Sequence, residues 1–239
     1  ESTEMLQSLR DNYRAIVVGA SGGIGRACVA ELEADPRCAA VLGLHRHSQP
    51  PLELTDEASI AAAAAHAGSQ LGTADLILDA TGVLAGQGHR PEKRLADIDP
   101  EAMAWQFAVN ATGPALLFKH FADLLPRRGR SVLATLSARV GSIEDNRRGG
   151  WIGYRSAKAA LNQIVRTTAI ELRWRRPECV CVGLQPGTVA TRLSAPWRRD
   201  SQAVLEPEEA ARRLLRVLGE LTPEASGDLY DHAGERIPP

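Results

Sequence analysis

A glycine-rich turn near the start of the chain separates a buried strand from a helix. Residues 15–18 are continuously apolar, which predicts a strand covered on both faces, and a helical pattern runs from the turn to about residue 34. Gly19 permits a tight turn, while Gly23 and Gly25 permit close approach of the backbone and the helix. The free N–H groups at the start of the helix then bind an anion such as a diphosphate. The segment therefore predicts the phosphate-binding start of a dinucleotide fold, lined by Gly19, Ser21, Gly22, Gly23 and Ile24.

Apolar strands alternate with helical patterns along the rest of the chain. This alternation implies right-handed crossovers and a parallel sheet covered on both faces. The predicted fold is a single Rossmann-type doubly wound α/β domain over 14–239, with a sheet of about seven parallel strands, after a polar and loosely held lead-in at 1–13. The predicted strands are 15–18, 39–44, 51–54, 75–78, 130–136, 179–184 and 227–230, and the later helices are 56–67, 100–125, 152–174 and 207–218.

Composition narrows the classes of function. The 239 residues include 28 basic and 29 acidic side chains, so the charge balance gives no case for nucleic acid or an anionic membrane as the main partner. The four cysteines have no metal-ligand spacing, which favours free thiols in a reducing compartment. No apolar run approaches the length that spans a membrane. These features predict a cytosolic protein.

Five of the distinctive sequence features fall at the carboxyl ends of predicted strands. In sheets of this kind ligands bind beyond that edge. Since unrelated motifs have no reason to agree on one edge, their agreement predicts a single ligand site there. The five positions are Gly19, Arg46, Gly82, Ser137 and Pro186.

Arg46 indicates which dinucleotide this site prefers. The end of the second strand usually carries an acid that holds the ribose 2′-hydroxyl of NAD, but here His45 and Arg46 stand in its place. An arginine pairs with a 2′-phosphate, so the sequence favours NADP(H) over NAD(H). Glu53 and Leu54, at the end of the predicted third strand, are placed to border the adenine.

Tyr154 and Lys158 supply candidate proton-transfer chemistry. Four residues apart on a helix, they lie on the same face. An ammonium beside a phenol favours the phenolate, so we expect the tyrosine pKa to fall below its ordinary value and suit proton exchange with a substrate oxygen. Taken alone, the pair is more typical of an amphipathic surface helix. Asn110, within the predicted helix 100–125, marks a local break where a side chain or carbonyl turns inward.

Taken together, these motifs resemble the short-chain dehydrogenase/reductase family in its compact, non-extended branch. They follow the order of the family over nearly the whole chain: the glycine segment 19–25, Asp79 to Gly82, Asn110, Ser137, Tyr154 with Lys158, and Pro186-Gly187 with Thr191. The segment from Ser137 to Arg155 is similar to the carbonyl-reductase and C-signal-factor subgroup.

The resemblance implies a role for each of these residues. Tyr154 would be the general acid/base, Ser137 would orient the substrate oxygen, Lys158 would lower the pKa of Tyr154 and hold the nicotinamide ribose, and Asn110 would support a water-linked proton relay to Lys158. The remaining cofactor contacts would come from Ala80, Gly82, Pro186, Gly187, Val189 and Thr191.

Three departures from the family pattern stand out. The usual Asn-Asn-Ala-Gly is replaced by Asp79-Ala80-Thr81-Gly82. Counting back three residues from Gly141 to the serine of the family lands on Ala138, with Ser137 and Ser142 as the alternatives. Ser137 and Tyr154 are 17 positions apart, a longer spacing than usual because of an insertion at 144–150.

The sequence therefore predicts an NADP(H)-dependent oxidoreductase of carbonyl compounds or secondary alcohols. The alternative is a nucleotide-binding signalling or regulatory protein of the same fold with little turnover, while a methyltransferase would leave the Tyr154 and Lys158 pair unexplained. A homodimer or homotetramer is expected, formed through helices 100–125 and 152–174. Residues 83–98, 144–150 and 192–205 are expected to line the substrate pocket.

Overall fold

The computed structural model describes residues 5–191, 194–197 and 203–239. Its strands are β1 (Tyr13–Val18), β2 (Cys38–Leu44), β3 (Leu76–Asp79), β4 (Ser131–Leu136), β5 (Cys179–Gln185), β6 (Leu229–Asp231) and β7 (Arg236–Ile237). Its α-helices are α1 (Gly23–Ala34), α2 (Glu57–Leu71), α3 (Pro100–Phe107), α4 (Gly113–Phe121), α5 (Ile152–Arg175) and α6 (Pro207–Glu220). Short 3₁₀ helices lie at Leu95–Asp97, Ala122–Leu124, Arg139–Gly141, Ala195–Trp197 and Pro223–Ala225.

The strands form one seven-stranded sheet in the order β2-β1-β3-β4-β5-β6-β7. All neighbours are parallel except β6 and β7, which pair antiparallel. The doubly wound α/β fold is confirmed, but the seventh strand is a short antiparallel one at the edge. Because β1, β3, β4 and β5 pair in parallel, their carboxyl ends meet along one edge of the sheet.

The prediction of a strand at 51–54 is wrong. This stretch is irregular, and β3 pairs directly with β1. Pro50 and Pro51 have no N–H to give to a sheet, and the Leu52 N–H donates to the His45 carbonyl instead. The segment therefore folds back on the end of β2.

Two apolar layers cover the two faces of the sheet. One layer packs α1 and α6 on alternate side chains of the strands, and the other packs α2, α4 and α5 on the opposite side chains. The switch of face at every residue is visible on β5, where Val180, Val182 and Leu184 belong to the first layer and Cys179 and Cys181 to the second. The second face is the one that carries α5.

The described part of the lead-in is not loosely held. Leu6 and Leu9 are buried in the layer under α6, and β1 already begins at Tyr13. Gly219 on α6 has no side chain at the point of contact, because a Cβ there would lie 2.7 Å from the Leu6 nitrogen. These two apolar side chains, three residues apart, anchor a segment whose polar residues Gln7, Arg10, Asp11 and Asn12 stay exposed.

The predicted helix over 100–125 is interrupted, as the Asn110 position led us to expect. A π-helical turn at Ala108–Thr112 separates α3 from α4. Pro114 explains the irregularity, since it has no N–H to give to the carbonyl of Asn110 four residues earlier. Such turns often occur at functional sites. In the described part of the chain, no helix has both the length and the apolar character needed to cross a membrane.

Candidate active site

The glycine turn forms an open cradle at the start of α1. Gly19 has a φ of +82°, and a Cβ on Gly25 would lie 2.2 Å from the Gly19 carbonyl oxygen, so the helix and the turn approach as closely as backbones can. Gly22 is the N-cap residue of α1, and no side chain forms a capping hydrogen bond with the first N–H groups of this helix. The first N–H groups of the helix therefore stay available, and this geometry fits the diphosphate of a dinucleotide.

Three chain segments meet around this cradle. The N–H groups of Gly19 and Ala20 donate to the Leu44 carbonyl at the end of β2. The Ala80 N–H, just after β3, donates to the Val18 carbonyl. The carbonyl oxygen of Ala80 would lie 3.0 Å from a Cβ on Gly19. The predicted cofactor residues Gly19 and Ala80 are thus direct neighbours.

The segment after β5 reaches the same cradle. A Cβ on Gly23 would lie 2.7 Å from the Thr191 methyl carbon, which places Thr191 over the turn. Gly187 has a φ of +81°, and Val189 is buried and paired with Leu205. Pro186 links this segment to β5. In the expected pocket segment 192–205, residues 192–193 and 198–202 lie outside the described residues.

Arg46 lies beyond the end of β2 with an exposed side chain. It forms no ion pair with any residue that the structure describes. Ser21, on the glycine turn, is exposed as well. Leu54 is buried against Gly113 at the start of α4, whereas Glu53 is half-buried and uses its backbone to bind Ser59.

Tyr154 and Lys158 lie on the buried face of α5. Tyr154 is 9% exposed and Lys158 is 3% exposed, and the Lys158 Nζ is 5.9 Å from the centre of the Tyr154 ring. Burial raises the pKa of Tyr154 to about 12, so the lowering that we expected from its spacing to Lys158 is not found. Burial also lowers the pKa of Lys158 to about 8. Near neutral pH the pair is a neutral phenol beside an ammonium.

A backbone carbonyl at the edge of the sheet holds the Lys158 ammonium, which also lies close to Gly82. The Lys158 Nζ donates to the Leu136 carbonyl at 2.9 Å. A Cβ on Gly82 would lie 3.4 Å from that Nζ and 3.5 Å from the Asn110 Oδ1, so both side chains lie beside Gly82. Lys158 and Asn110 therefore share Gly82 as a neighbour.

Asn110 is fully buried at the π-helical turn. Its Oδ1 accepts from the Val83 N–H at 3.0 Å, and its Nδ2 donates to the Val83 carbonyl at 2.8 Å and to Gln106 Oε1 at 2.7 Å. The side chain thus fixes the turn that follows β3 beside Lys158. Asn110, Lys158 and Tyr154 are brought together as predicted from the sequence.

Asp79, where the family has an asparagine, is buried under this group. Its carboxylate accepts from the Thr81 N–H and hydroxyl, and from the Thr135 hydroxyl of β4 at 2.7 Å. Burial raises the pKa of Asp79, while its negative charge opposes the effect of burial on the Lys158 ammonium. The change from the family pattern therefore adds a charge near Lys158.

The Ser137 hydroxyl is hydrogen-bonded to Asn162, not to Tyr154. It donates to Asn162 Oδ1 at 2.5 Å. Asn162 lies on α5, one turn after Lys158. The next residue, Ala138, packs in one apolar cluster with Tyr154 and Leu84. The role of Ser137 toward a substrate stays a prediction: its hydroxyl is engaged by Asn162, and the position packed beside Tyr154 is held by an alanine.

Ser142 is no replacement for this missing hydroxyl. It is buried, donates to the Pro239 carbonyl at 3.2 Å and accepts from the Asp145 N–H at 3.0 Å. Both interactions hold the start of the 144–150 insertion. The Ser142 hydroxyl is used to shape the loop.

Two charged side chains that were not predicted from the sequence hold the loops around Tyr154. The buried Glu92 carboxylate accepts from the Gly153 N–H at 3.2 Å, at the start of α5. The backbone carbonyl of Glu92 accepts from the Trp151 N–H. The Arg155 guanidinium donates to the carbonyls of Gly150, Gly149 and Val140 at 2.9, 3.1 and 3.4 Å. The position of Arg155 directly after Tyr154 was the one sequence feature that could have indicated its role. No sequence feature distinguishes Glu92 from the other residues of the polar loop 83–98.

Comparison with known proteins finds relatives over most of the chain. A family model described as enoyl-(acyl carrier protein) reductase matches residues 19–225. The C-signal protein of Myxococcus xanthus is 37% identical over 145 residues, which cover 60% of this chain and 82% of that protein. The 1-hydroxy-2-glutathionyl-2-methyl-3-butene dehydrogenase of Rhodococcus sp. strain AD45 is 30% identical over 179 residues, covering 75% of this chain and 74% of that one.

A solved structure extends the similarity over the complete chain. The NADPH-bound carbonyl reductase from chicken fatty liver superimposes with a TM-score of 0.82 at 25% identity, covering 100% of both chains. One assignment follows from the family match over residues 19–225. The glycine cradle and the group of Asn110, Tyr154 and Lys158 fit the same assignment. The chain belongs to the short-chain dehydrogenase/reductase family of NAD(P)-dependent oxidoreductases.

Proposed function

We propose that this protein is an NADP(H)-dependent oxidoreductase of carbonyl compounds and secondary alcohols, with Tyr154 as its general acid/base. The observation that carries the proposal is the position of Tyr154, Lys158 and Asn110 at the same sheet edge as the glycine cradle. A binding protein has no need for a phenol and an ammonium buried side by side at that edge.

The protonation states of the pair suit carbonyl reduction. A tyrosine whose pKa is raised to about 12 keeps its proton until a substrate oxygen gains negative charge and takes it. The Lys158 ammonium lies close enough to stabilise the phenolate that remains, because an opposite charge favours the ionised form. Asn110 keeps the turn after β3 in place beside the ammonium. When bound, the nicotinamide supplies the hydride.

The preference for NADP(H) is supported by Arg46. Its exposed guanidinium stands beyond the end of β2, whose Leu44 carbonyl holds the glycine turn. No acid occupies the positions directly after β2 that would hold a ribose 2′-hydroxyl. The chicken carbonyl reductase of similar fold was solved with NADPH.

The test is cofactor binding followed by turnover. NADPH and NADH are titrated by fluorescence, and turnover is then measured with NADPH and a panel of aldehydes and ketones, on the wild type and on Tyr154→Phe. We expect tighter binding of NADPH, and turnover that is lost in Tyr154→Phe while NADPH binding is kept. Turnover that persists in Tyr154→Phe would overturn the role given to Tyr154.

A signalling or regulatory protein with little turnover is the second candidate. Two observations favour it: the similarity to C-signal, and Ala138 at the position beside Tyr154. Tight NADPH binding without turnover on any compound of the panel, unchanged by Tyr154→Phe, would support this candidate over the reductase.

We also propose a homodimer or homotetramer that uses the exposed face of α5. Ile170 and Trp174 on this face are 54% and 86% exposed, which is unusual for large apolar side chains. Sedimentation velocity that gives the mass of a single chain would contradict this proposal.

The cytosolic location expected from the sequence stays a prediction. So does the substrate pocket expected from the loops 83–98, 144–150 and 192–205.

A further inference from the structure

The site beside Tyr154 lacks a second hydrogen-bond donor of the expected kind. A carbonyl oxygen has two lone pairs, and a site that stabilises negative charge on it gains from two donors. Tyr154 supplies one. The residue that packs beside it, Ala138, supplies none, and the hydroxyls of Ser137 and Ser142 are engaged elsewhere.

On the neighbouring strand, Gln185 binds Arg139, the residue that directly follows Ala138. Side chains of β5 alternate between the two faces of the sheet, and Leu184 belongs to the layer under α1 and α6. Gln185, like Gly183, therefore faces α5: a Cβ on Gly183 would lie 3.5 Å from Ser137 Cβ and 3.9 Å from Asn162 Oδ1. Gln185 is the last residue of β5, so it lies at the carboxyl edge of the α5 face.

The orientation of the Gln185 carboxamide is fixed by its neighbour. Its Oε1 accepts from the Arg139 N–H at 2.8 Å, and Arg139 directly follows Ala138. Only the oxygen of a carboxamide accepts from an N–H, so the Nε2 must occupy the other position. This Nε2, with two N–H donors, makes no hydrogen bond to any residue that the structure describes.

We propose that the Gln185 Nε2 donates the second hydrogen bond to the substrate oxygen, replacing the serine hydroxyl that Ala138 removes. This inference rests on the proposed oxidoreductase function and adds a substrate-binding residue to it. Tyr154 then approaches the oxygen from α5 and Gln185 approaches from β5. The proton still comes from Tyr154, since a carboxamide donates a hydrogen bond without giving up its proton.

The test uses four variants with para-nitrobenzaldehyde and NADPH as probes. Gln185→Leu removes both ends of the carboxamide, and Gln185→Glu keeps an acceptor for the Arg139 N–H while removing the donor. Ala138→Ser is then added to Gln185→Leu, to restore a hydroxyl beside Tyr154. Gln163→Leu is the matched control, because Gln163 is exposed on α5 and its amide donates to Thr167 of the same helix.

We expect kcat to fall about 100-fold in both Gln185 variants, with NADPH binding unchanged, since the lost donor acts on the oxygen that gains charge. Ala138→Ser should recover much of that loss in the Gln185→Leu background, and Gln163→Leu should keep the wild-type kcat. Wild-type kcat in Gln185→Glu would overturn the proposal and leave Gln185 as support for the Arg139 turn. No recovery on adding Ala138→Ser would overturn it as well.

The failure of the underlying function gives a different result. Tyr154→Phe is measured beside these variants. If it keeps turnover, or if the wild type has none with any carbonyl compound, the oxidoreductase mechanism fails whatever Gln185 does. If Tyr154→Phe is inactive and the Gln185 variants are not, Gln185 alone is wrong.

Discussion

The Lys158 ammonium donates a 2.9 Å hydrogen bond to the carbonyl of Leu136, the last residue of β4. Burial lowers the pKa of this lysine to about 8, so the ammonium is present below that pH and is lost as the pH rises through it. Because the ammonium stabilises the phenolate of Tyr154, we expect kcat for carbonyl reduction to fall as the pH rises through about 8.

This pH dependence is measured as kcat at saturating NADPH and aldehyde across the neutral and alkaline range. A constant kcat well above pH 8 would contradict the role given to Lys158. Stability is followed in parallel by thermal unfolding, so that a loss of folded protein at high pH is not read as a loss of catalysis.

Asp79→Asn should move this transition to lower pH. The Asp79 carboxylate favours the Lys158 ammonium, and an asparagine removes the charge while it can still bind Thr81 and Thr135. The midpoint of the kcat profile is therefore expected below that of the wild type. Asp75→Asn is the matched control, since Asp75 is also buried but binds Arg10 at the opposite edge of the sheet. An unchanged midpoint in Asp79→Asn would show that its charge does not act on Lys158.

Arg46→Glu should reverse the cofactor preference. The loss of a charged hydrogen bond to the 2′-phosphate, worth ~1.5–3 kcal/mol, weakens NADPH binding by roughly 10- to 100-fold. NADH binding should be kept or improved, because a carboxylate accepts from the 2′-hydroxyl. Fluorescence titration of both cofactors measures the change. The control is Arg216→Glu, which makes the same charge change on the exposed face of α6. Equal weakening of both cofactors by Arg46→Glu would count against a 2′-phosphate contact.

Arg155→Met should loosen the 144–150 insertion. Three backbone carbonyls lose their shared donor, so we expect the free energy of unfolding to fall by about 1–3 kcal/mol. The KM of the aldehyde should rise while kcat changes less, since Tyr154 keeps its place on α5. Arg173→Met, exposed on the same helix, serves as the control. A wild-type KM in Arg155→Met would mean that the insertion does not border the substrate.

The sheet edge and its residues were predictable because each has a strong local cause. Glycines mark the close approaches at 19–25 and at Gly82, and the spacing of Tyr154 and Lys158 places both on one helical face. The break at Asn110 was predictable from its surroundings as well, with Pro114 four residues later. The order of such signals along the chain is enough to identify a doubly wound sheet.

Features that depend on a shift of one residue or on distant contacts were not predictable. Ser137 and Ala138 are adjacent and follow the end of β4, and only the direction in which each side chain leaves the backbone decides that the serine binds Asn162 while the alanine packs on Tyr154. The pKa of Tyr154 depends on its burial, which spacing to Lys158 does not reveal. The two residues of β7 are too few for a periodic signal.

The contact between Leu6 and Gly219 also sets the order in which this molecule can be completed. Leu6 is translated long before α6, yet its place in the apolar layer is formed by that helix. Contacts between segments so distant along the chain are slow to form and leave apolar surface exposed in the meantime. On the ribosome, the part of this face that α6 covers therefore stays open until Gly219 has left the exit tunnel.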